Sequence, residues 1–310
     1  KGVLTGETKT ITPNSMAQAF IFSASAGIAC VTANTATALS NATSRAKASA
    51  ADLTITGNGN ITIQNTADSV ATITVDNLKA GWLSVGVMVG YARAAGTFEA
   101  LLESTGKIDA KNISITNTWK GKADAVLTPA LGGINASYYG GEANLAFADV
   151  MTQANTGIKG SGAIGSTDKR AGSITVGAIG TAYAHAEVVA PVLSASAKSV
   201  ATNTVNAYIS AVQETFINGV DLYGASVSLT SELNKGETEG AKAQLGGNAA
   251  DNTSFELTGK GAELNTAIAE MKATNRSYMK DAGIDLTGNW YQYRYQRTEG
   301  TGKRHFRNVY

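Results

Sequence analysis

Charged residues, aromatic residues, prolines and cysteines are all scarce in this sequence, and the scarcity of charge and of cysteine excludes particular kinds of protein. Charged residues make up 16% and aromatic residues 7% of the 310 residues, with three prolines and one cysteine. The net charge of +1 lacks the positive excess expected of a dedicated nucleic-acid-binding protein. A single cysteine cannot form an intramolecular disulfide, and Cys30 lies in an apolar run, where we expect a buried, unreactive thiol.

Histidines are equally few, and they form no pattern that suggests a cofactor or a metal. His185 and His305 are far apart in sequence, and no Cys or His pair has the spacing of a metal site, so neither a metal nor a cofactor is expected. His185 alternates with alanines inside a predicted strand. An outward-facing or hydrogen-bonded histidine is the expected role there.

No apolar run is long enough to cross a membrane. The longest, residues 80–95, contains three glycines and Arg93 and falls short of the roughly 18 residues that a spanning helix needs. We therefore expect this stretch to be core.

Short β-branched triplets recur along the chain and organise it into repeats. Their starting residues are separated by 50 to 61 residues: Ile11, Ile61, Ile113, Ile174, Val227 and Ile284. A second alternating segment follows each triplet, as in residues 71–75, 123–127 and 184–188, and alternation of small apolar with polar residues is typical of a strand with one buried face.

These repeats predict an all-β fold. One repeat cannot bury its own apolar face, whereas stacked repeats can, so we expect a right-handed parallel β-helix or solenoid over residues 1–287. Solenoid coils usually have 20 to 30 residues, so each repeat forms either two or three coils or one wide coil. Apolar residues at helical spacing in 263–280, and more ambiguously in 205–217, predict a few surface helices. Pro129 and Pro191 each follow the second strand of a repeat and predict a fixed turn.

The repeats resemble those of giant bacterial surface proteins of the filamentous-haemagglutinin and leukotoxin-like type. The resemblance rests on segments 112–117, 123–129, 132–136 and 143–148, which are echoed after Gly172. It implies a β-helical architecture, export by a type V route, exposure at the cell surface, and a role in adhesion, aggregation or toxicity. It transfers no functional residue.

The C-terminal segment, residues 288–310, differs from the rest because it is aromatic and basic. We predict that it is either a strand that closes the end of the core or a surface that binds a glycan, an anionic polymer or a neighbouring subunit. The candidate binding residues are Trp290, Tyr291, Tyr293, Arg294, Tyr295, Arg297, Arg304 and Arg307.

The sequence thus predicts a non-enzymatic structural or adhesive module of an extracellular or cell-surface bacterial protein. Its expected partners are like subunits, joined end to end, or a host or glycan ligand. The alternative is a polysaccharide-active β-helix enzyme, which would need two carboxylates at a fixed separation. The acidic pairs Glu99 with Glu103 and Glu237 with Glu239 are the acids considered for that role.

Overall fold

The computed structural model describes residues 14–50, 53–54, 59–128, 134–189, 193–236, 240–245, 255–298 and 301–307. Throughout these ranges the regular structure is β-strand, with no helix. The strands are β1 (Asn14–Ala50), β2 (Leu53–Thr54), β3 (Asn60–Ser104), β4 (Lys107–Asp109), β5 (Asn112–Thr128), β6 (Ile134–Gly160), β7 (Ala163–Ile164), β8 (Ala171–Val188), β9 (Leu193–Asn218), β10 (Asp221–Leu233), β11 (Ala241–Leu245), β12 (Phe255–Lys280), β13 (Ile284–Leu286), β14 (Trp290–Thr298) and β15 (Thr301–Arg307).

Nearly all strand pairs are parallel, and they form two long stacks and one short one. Sheet A contains residues 26–50 of β1, residues 80–104 of β3, and β6, β9 and β12. Sheet B contains residues 14–22 of β1 and 60–76 of β3, then β5, β8, β10 with β11, and β14. The short side consists of β2, β4, β7, the start of β10, and β13. The last strand, β15, pairs antiparallel with β14.

The pairing register divides the chain into coils, each lying directly on the previous one. We number them by residues: first 14–50, second 53–104, third 107–160, fourth 163–218, fifth 221–280 and last 284–307. Ile61 pairs with Ile113 and Ile113 with Ile174, so one repeat corresponds to one wide coil. This all-β arrangement of parallel strands is consistent with a parallel β-helix or solenoid.

The last repeat departs from the spacing seen in the sequence. Val227 pairs with Trp290, whereas Ile284 pairs with Leu222 on the short side. The triplet at Ile284 is therefore not the counterpart of the earlier triplets, and Trp290 occupies that position. The starting position Ile11 lies outside the described residues.

Sheets A and B face each other across a core made mainly of small side chains. Trp119 of sheet B stacks on Phe98 of sheet A at 5.8 Å between ring centroids. Most other core side chains around this pair are alanines, with a few Ile, Val and Leu. In sheet A, β6, β9 and β12 have 26 or 27 residues, which makes these coils about 85 to 90 Å wide, while five stacking intervals extend only about 25 Å along the axis. The described part is consequently a broad slab, not a rod.

A buried polar layer divides this core in two. On one side lies the alanine-rich cluster, and on the other a cluster of Ile, Val and Leu next to the short side. The polar layer comprises Ser44, Asn65, Asn117, Thr156, Gln213, Thr215, Ser231 and Asn275. Except for the hydroxyls of Thr156 and Thr215, which have no partner, its side chains form hydrogen bonds between coils and between sheets: Asn65 donates to Asn117 at 3.0 Å, and Gln213 donates to Ser231 at 2.9 Å. Because buried polar groups need partners, this layer fixes how the two sheets align.

Two expectations about local structure differ from what is observed. Residues 263–280 lie in β12, and 205–217 lie in β9, where we predicted helices. The two segments pair with each other in register, so stacking on a neighbouring coil overrides the helix propensity of their Ala, Glu and Lys residues. Pro129 and Pro191 lie outside the described residues.

Candidate functional surfaces

An exposed apolar strip runs across the coils on the outer surface of sheet A, beside the corner where the chain passes from sheet B to sheet A. Its centre is a pair of aromatic rings from adjacent coils, Trp82 and Tyr138, whose centroids lie 4.3 Å apart with an angle of 17° between planes. Tyr139 meets Tyr138 edge-on at 4.8 Å. We define the apolar strip as Ile28, Ala29, Val31, Ala33, Trp82, Leu83, Val85, Val87, Tyr138, Tyr139, Ala143, Val200 and Leu264.

Most of the strip is exposed because strand alternation directs its side chains away from the core. In the second coil, the inward positions carry Ser84 and Met88, which are buried. The outward positions carry Val85 and Val87, which are more than a third exposed, and Trp82 is 59% exposed. We expected residues 80–95 to be core, and that is wrong for the outward half, because alternate side chains of a strand point to opposite faces of the sheet.

Charged residues occupy the other half of the same outer surface, nearer the short side. Glu103 lies between two lysines from adjacent coils, 2.7 Å from Lys47 and 3.0 Å from Lys159. Hydrogen bonds from these lysines lower the pKa of Glu103 to about 2. Glu99 is likewise paired with Arg45. These carboxylates link coils together, and Glu103 ionises too readily to act as a general acid.

On the outer surface of sheet B, the described residues include a cluster of titratable groups around His185. The His185 Nδ1 atom lies 3.0 Å from Asp124 Oδ1 in the preceding coil, and its Nε2 atom lies 3.3 Å from Glu187 Oε2. Nε2 lacks a well-aligned hydrogen bond, so that contact is an ion pair. The hydrogen bond between His185 Nδ1 and Asp124, together with the interaction with Glu187, raises the pKa of His185 to about 9, although burial acts in the opposite direction.

This cluster holds the imidazole ring of His185 in place between two carboxylates. At neutral pH the imidazole is protonated and held between two carboxylates, so it cannot accept a proton as a general base. Lys122 lies 3.4 Å from Asp124 and adds a second cation. Burial opposes ionisation of Asp124, but His185 and Lys122 outweigh it and lower the pKa of that carboxyl. The expectation of a hydrogen-bonded histidine agrees with this geometry.

The predicted C-terminal site is split between two faces by strand alternation. Trp290 packs against the Ile-rich core cluster, whereas the next residue, Tyr291, is 52% exposed and its hydroxyl accepts a hydrogen bond from Asn289 at 2.9 Å. The side chains of the remaining six candidates, from Tyr293 to Arg307, lie outside the described part. Backbone pairing places Tyr295 opposite Arg304 and Gln292 opposite Arg307. The choice between a cap and a contact surface stays a prediction.

Within the described ranges, no group of three or more His, Cys, Asp or Glu residues is arranged to hold a metal ion. Nor does that part of the chain contain a helix long and apolar enough to span a membrane. Glu237 and Glu239 lie outside it. Cys30 is buried.

Comparison with known proteins adds no family: no family model, curated protein or solved structure matches the chain. The resemblance to filamentous-haemagglutinin-like repeats therefore stays a prediction.

Sequence reasoning missed two of these surfaces. The apolar strip had a signal, because in residues 83–87 one strand phase carries Leu83, Val85 and Val87 while the other carries Ser84 and Gly86. In a chain whose core must be thin, the bulky phase is the outer one. The contact between His185 and Asp124 had no local signal, since it depends on the 61-residue offset between coils.

Proposed function

We propose that this chain is a section of a wide, right-handed parallel β-solenoid in a secreted bacterial surface protein, where it acts as a structural and adhesive module. Crossover connections between parallel strands are right-handed in nearly all proteins, which supports that handedness. The stacked register supports the structural role, because each added coil lengthens the axis by one strand spacing without changing the outer surfaces.

The single observation that carries the adhesive role is the exposed apolar strip. Contiguous exposed apolar surface of this kind marks interaction sites in soluble proteins. In the first three coils the strip contains no charged residue, and the rings of Trp82, Tyr138 and Tyr139 add aromatic surface. Aromatic rings pack well against apolar protein surface and against the C–H faces of sugars.

The rigidity of the strip also favours a binding role. Its residues stand on parallel strands that pair on both sides in the second, third and fourth coils, so little conformational entropy remains to be lost when a ligand binds. A flat surface with a repeat at the strand spacing suits a ligand that is itself extended, such as a polysaccharide chain or a host surface protein.

Binding of the labelled chain to a glycan array and to cultured epithelial cells tests this proposal. Trp82→Ser combined with Val85→Ser should weaken binding by about tenfold or more, as expected when an aromatic contact is removed. Ile179→Ser is the matched control, because Ile179 is 53% exposed on the outside of sheet B. Failure of the wild-type chain to bind either probe would exclude the adhesive role. Equal binding by the double variant and the wild type would exclude the apolar strip as the binding site.

A further inference from the structure

A shallow groove crosses the apolar strip along the third coil. Gly141 and Ala143 form its floor, because both are outward positions with little or no side chain. The residues that pair with them are mostly larger and form the walls: Val85 and Val87 in the second coil, Val200 and Thr202 in the fourth. Two strand spacings separate these walls, so they stand about 10 Å apart before the width of their side chains is subtracted.

Aromatic residues mark both ends of this groove. At one end Tyr139 lies beside Tyr138 and is 39% exposed. At the other end Phe147 pairs with Tyr91 of the second coil. The strand covers roughly 26 Å between Tyr139 and Phe147. The groove is therefore long and narrow, with rings at its two ends.

A small polar cluster lies just past Phe147. The Tyr91 hydroxyl donates a hydrogen bond to Asp149 at 2.8 Å. Arg93 and Tyr208 pair with Asp149 from the coils on either side. A carboxylate, a guanidinium and two phenols offer both acceptors and donors. A few polar groups at the end of an apolar groove are the combination that orients a bound ligand.

The groove suits some extended ligands better than others. Here the strands of the second, third and fourth coils are paired on both edges, so a peptide finds no free backbone groups beside which to add a strand. An α-helix with its side chains is about 10 to 12 Å across, which is too wide for a space of about 10 Å that the wall side chains narrow further.

The charges around the groove also restrict the ligand. The outward positions of residues 83–91 and 139–147 contain no charged residue. At one end Arg93 pairs with Asp149, which balances its charge. At the other end Lys198 pairs with Tyr139, and one lysine is not the row of cations that an anionic polymer requires. A neutral ligand complements this surface.

We propose that the groove binds a single neutral, unbranched polysaccharide chain that lies parallel to the strands of the third coil. The C–H faces of the sugars contact the valines and the aromatic rings, while the outward hydroxyls stay in water, so no polar group is buried without a partner. The cluster around Asp149 fixes the chain through hydrogen bonds to sugar hydroxyls. This inference rests on the proposed adhesive role and narrows it to one class of ligand.

Biolayer interferometry of the immobilised chain against soluble polysaccharides tests the groove. Glucomannan or mixed-linkage β-glucan, both neutral and largely unbranched, should bind, whereas anionic alginate should not. Binding should be the same in molar salt, because it does not depend on charges that salt would screen.

Gly141→Val with Ala143→Val raises the floor to the height of the walls and should weaken polysaccharide binding by about tenfold or more. The fold should persist, since valine favours strands and a Cβ atom at Gly141 would lie at an ordinary 3.7 Å from Val85. The control is Thr116→Val with Thr118→Val, which places two valines on the outer surface of sheet B in the same coil and should leave binding unchanged.

Asp149→Ala should also weaken binding by about tenfold, because it removes a charged hydrogen-bond acceptor. Equal polysaccharide binding by the wild type and the double valine variant would overturn the inference, as would binding of alginate that molar salt abolishes. Cell binding that depends on Trp82 and Val85, without binding of either neutral polysaccharide, would overturn it and leave the proposed adhesive role standing. A wild-type chain that binds neither cells nor polysaccharide would contradict both.

Discussion

The indole nitrogen of Trp119 donates a hydrogen bond to the side-chain oxygen of Gln213 at 2.8 Å, across the core and across 94 residues of sequence. Gln213 is fully buried and in turn donates to Ser231 and to the carbonyl of Glu232. One amide therefore joins sheet A to sheet B and the fourth coil to the fifth.

Gln213→Leu should lower the free energy of unfolding by about 2 to 3 kcal/mol, because it leaves the Trp119 N–H and the hydroxyl of Ser231 buried with fewer partners. Urea denaturation measures this difference. Gln153→Leu, at an exposed position of sheet A, is the control and should change stability by less than about 0.5 kcal/mol. Equal stability of the Gln213 variant and the wild type would mean that the polar layer does not hold the sheets together.

Gly180→Ala should be strongly destabilising. A Cβ atom at Gly180 would lie 2.3 Å from the ring of Trp119 and 2.5 Å from the Gln213 oxygen, so the largest buried side chain would have to move. The expected loss is about 2 kcal/mol or more in the free energy of unfolding. Gly141→Ala is the matched control, since its nearest neighbour would be Val85 at an ordinary 3.7 Å, and thermal unfolding should show no loss there.

Stability should fall in mildly alkaline solution because of His185. Its pKa is raised from 6.5 to about 9, so its contribution is fully present below pH 6.5 and is lost as the pH rises through about 9. The expected loss is roughly 1 to 3 kcal/mol. Urea midpoints measured from pH 6 to pH 10 should decline for the wild type but stay nearly flat for His185→Gln. The same slope in both proteins would assign the pH dependence to another group.

Removing Glu103 should reveal repulsion between coils. Glu103→Gln leaves Lys47 and Lys159 facing each other without the carboxylate between them. The melting temperature should drop at low ionic strength and recover in molar salt, because these groups are exposed and screened. Glu270→Gln, which among the described residues removes the pair with Lys272 on the same strand, should show a smaller drop. A drop that is independent of salt would point to packing and not to charge.

Stacked architecture was predictable from the sequence because the strand signal is local and periodic. The triplets at Ile61, Ile113, Ile174 and Val227 reveal the offset, and the structure pairs them in register. The last copy was misassigned because the triplet at Ile284 has the same composition as the earlier triplets, although it is Trp290 that pairs with Val227. Composition identifies a strand, but only the pairing with neighbouring coils decides which column, meaning which vertical row of paired residues, it joins.

The helical interpretation of 263–280 failed for a related reason. Leu264, Ile268 and Met271 fit helical spacing, yet each pairs with a residue of β9. A pattern confined to one segment contains no information about the coil on which it lies. The surfaces that we consider functional were hidden in the same way. The partners of Trp82, His185 and Gln213 come from other coils, so their distances depend on a register that a single segment does not reveal.

The pairing register also limits how the gene for such a protein can change in length. A deletion of one residue inside a long strand would turn every later side chain of that strand to the opposite face. By contrast, excision of residues 113–173 joins Asn112 directly to Ile174, and Ile174 occupies the same column as Ile113. The unit that recombination can duplicate or remove without disturbing the neighbours is therefore a whole coil.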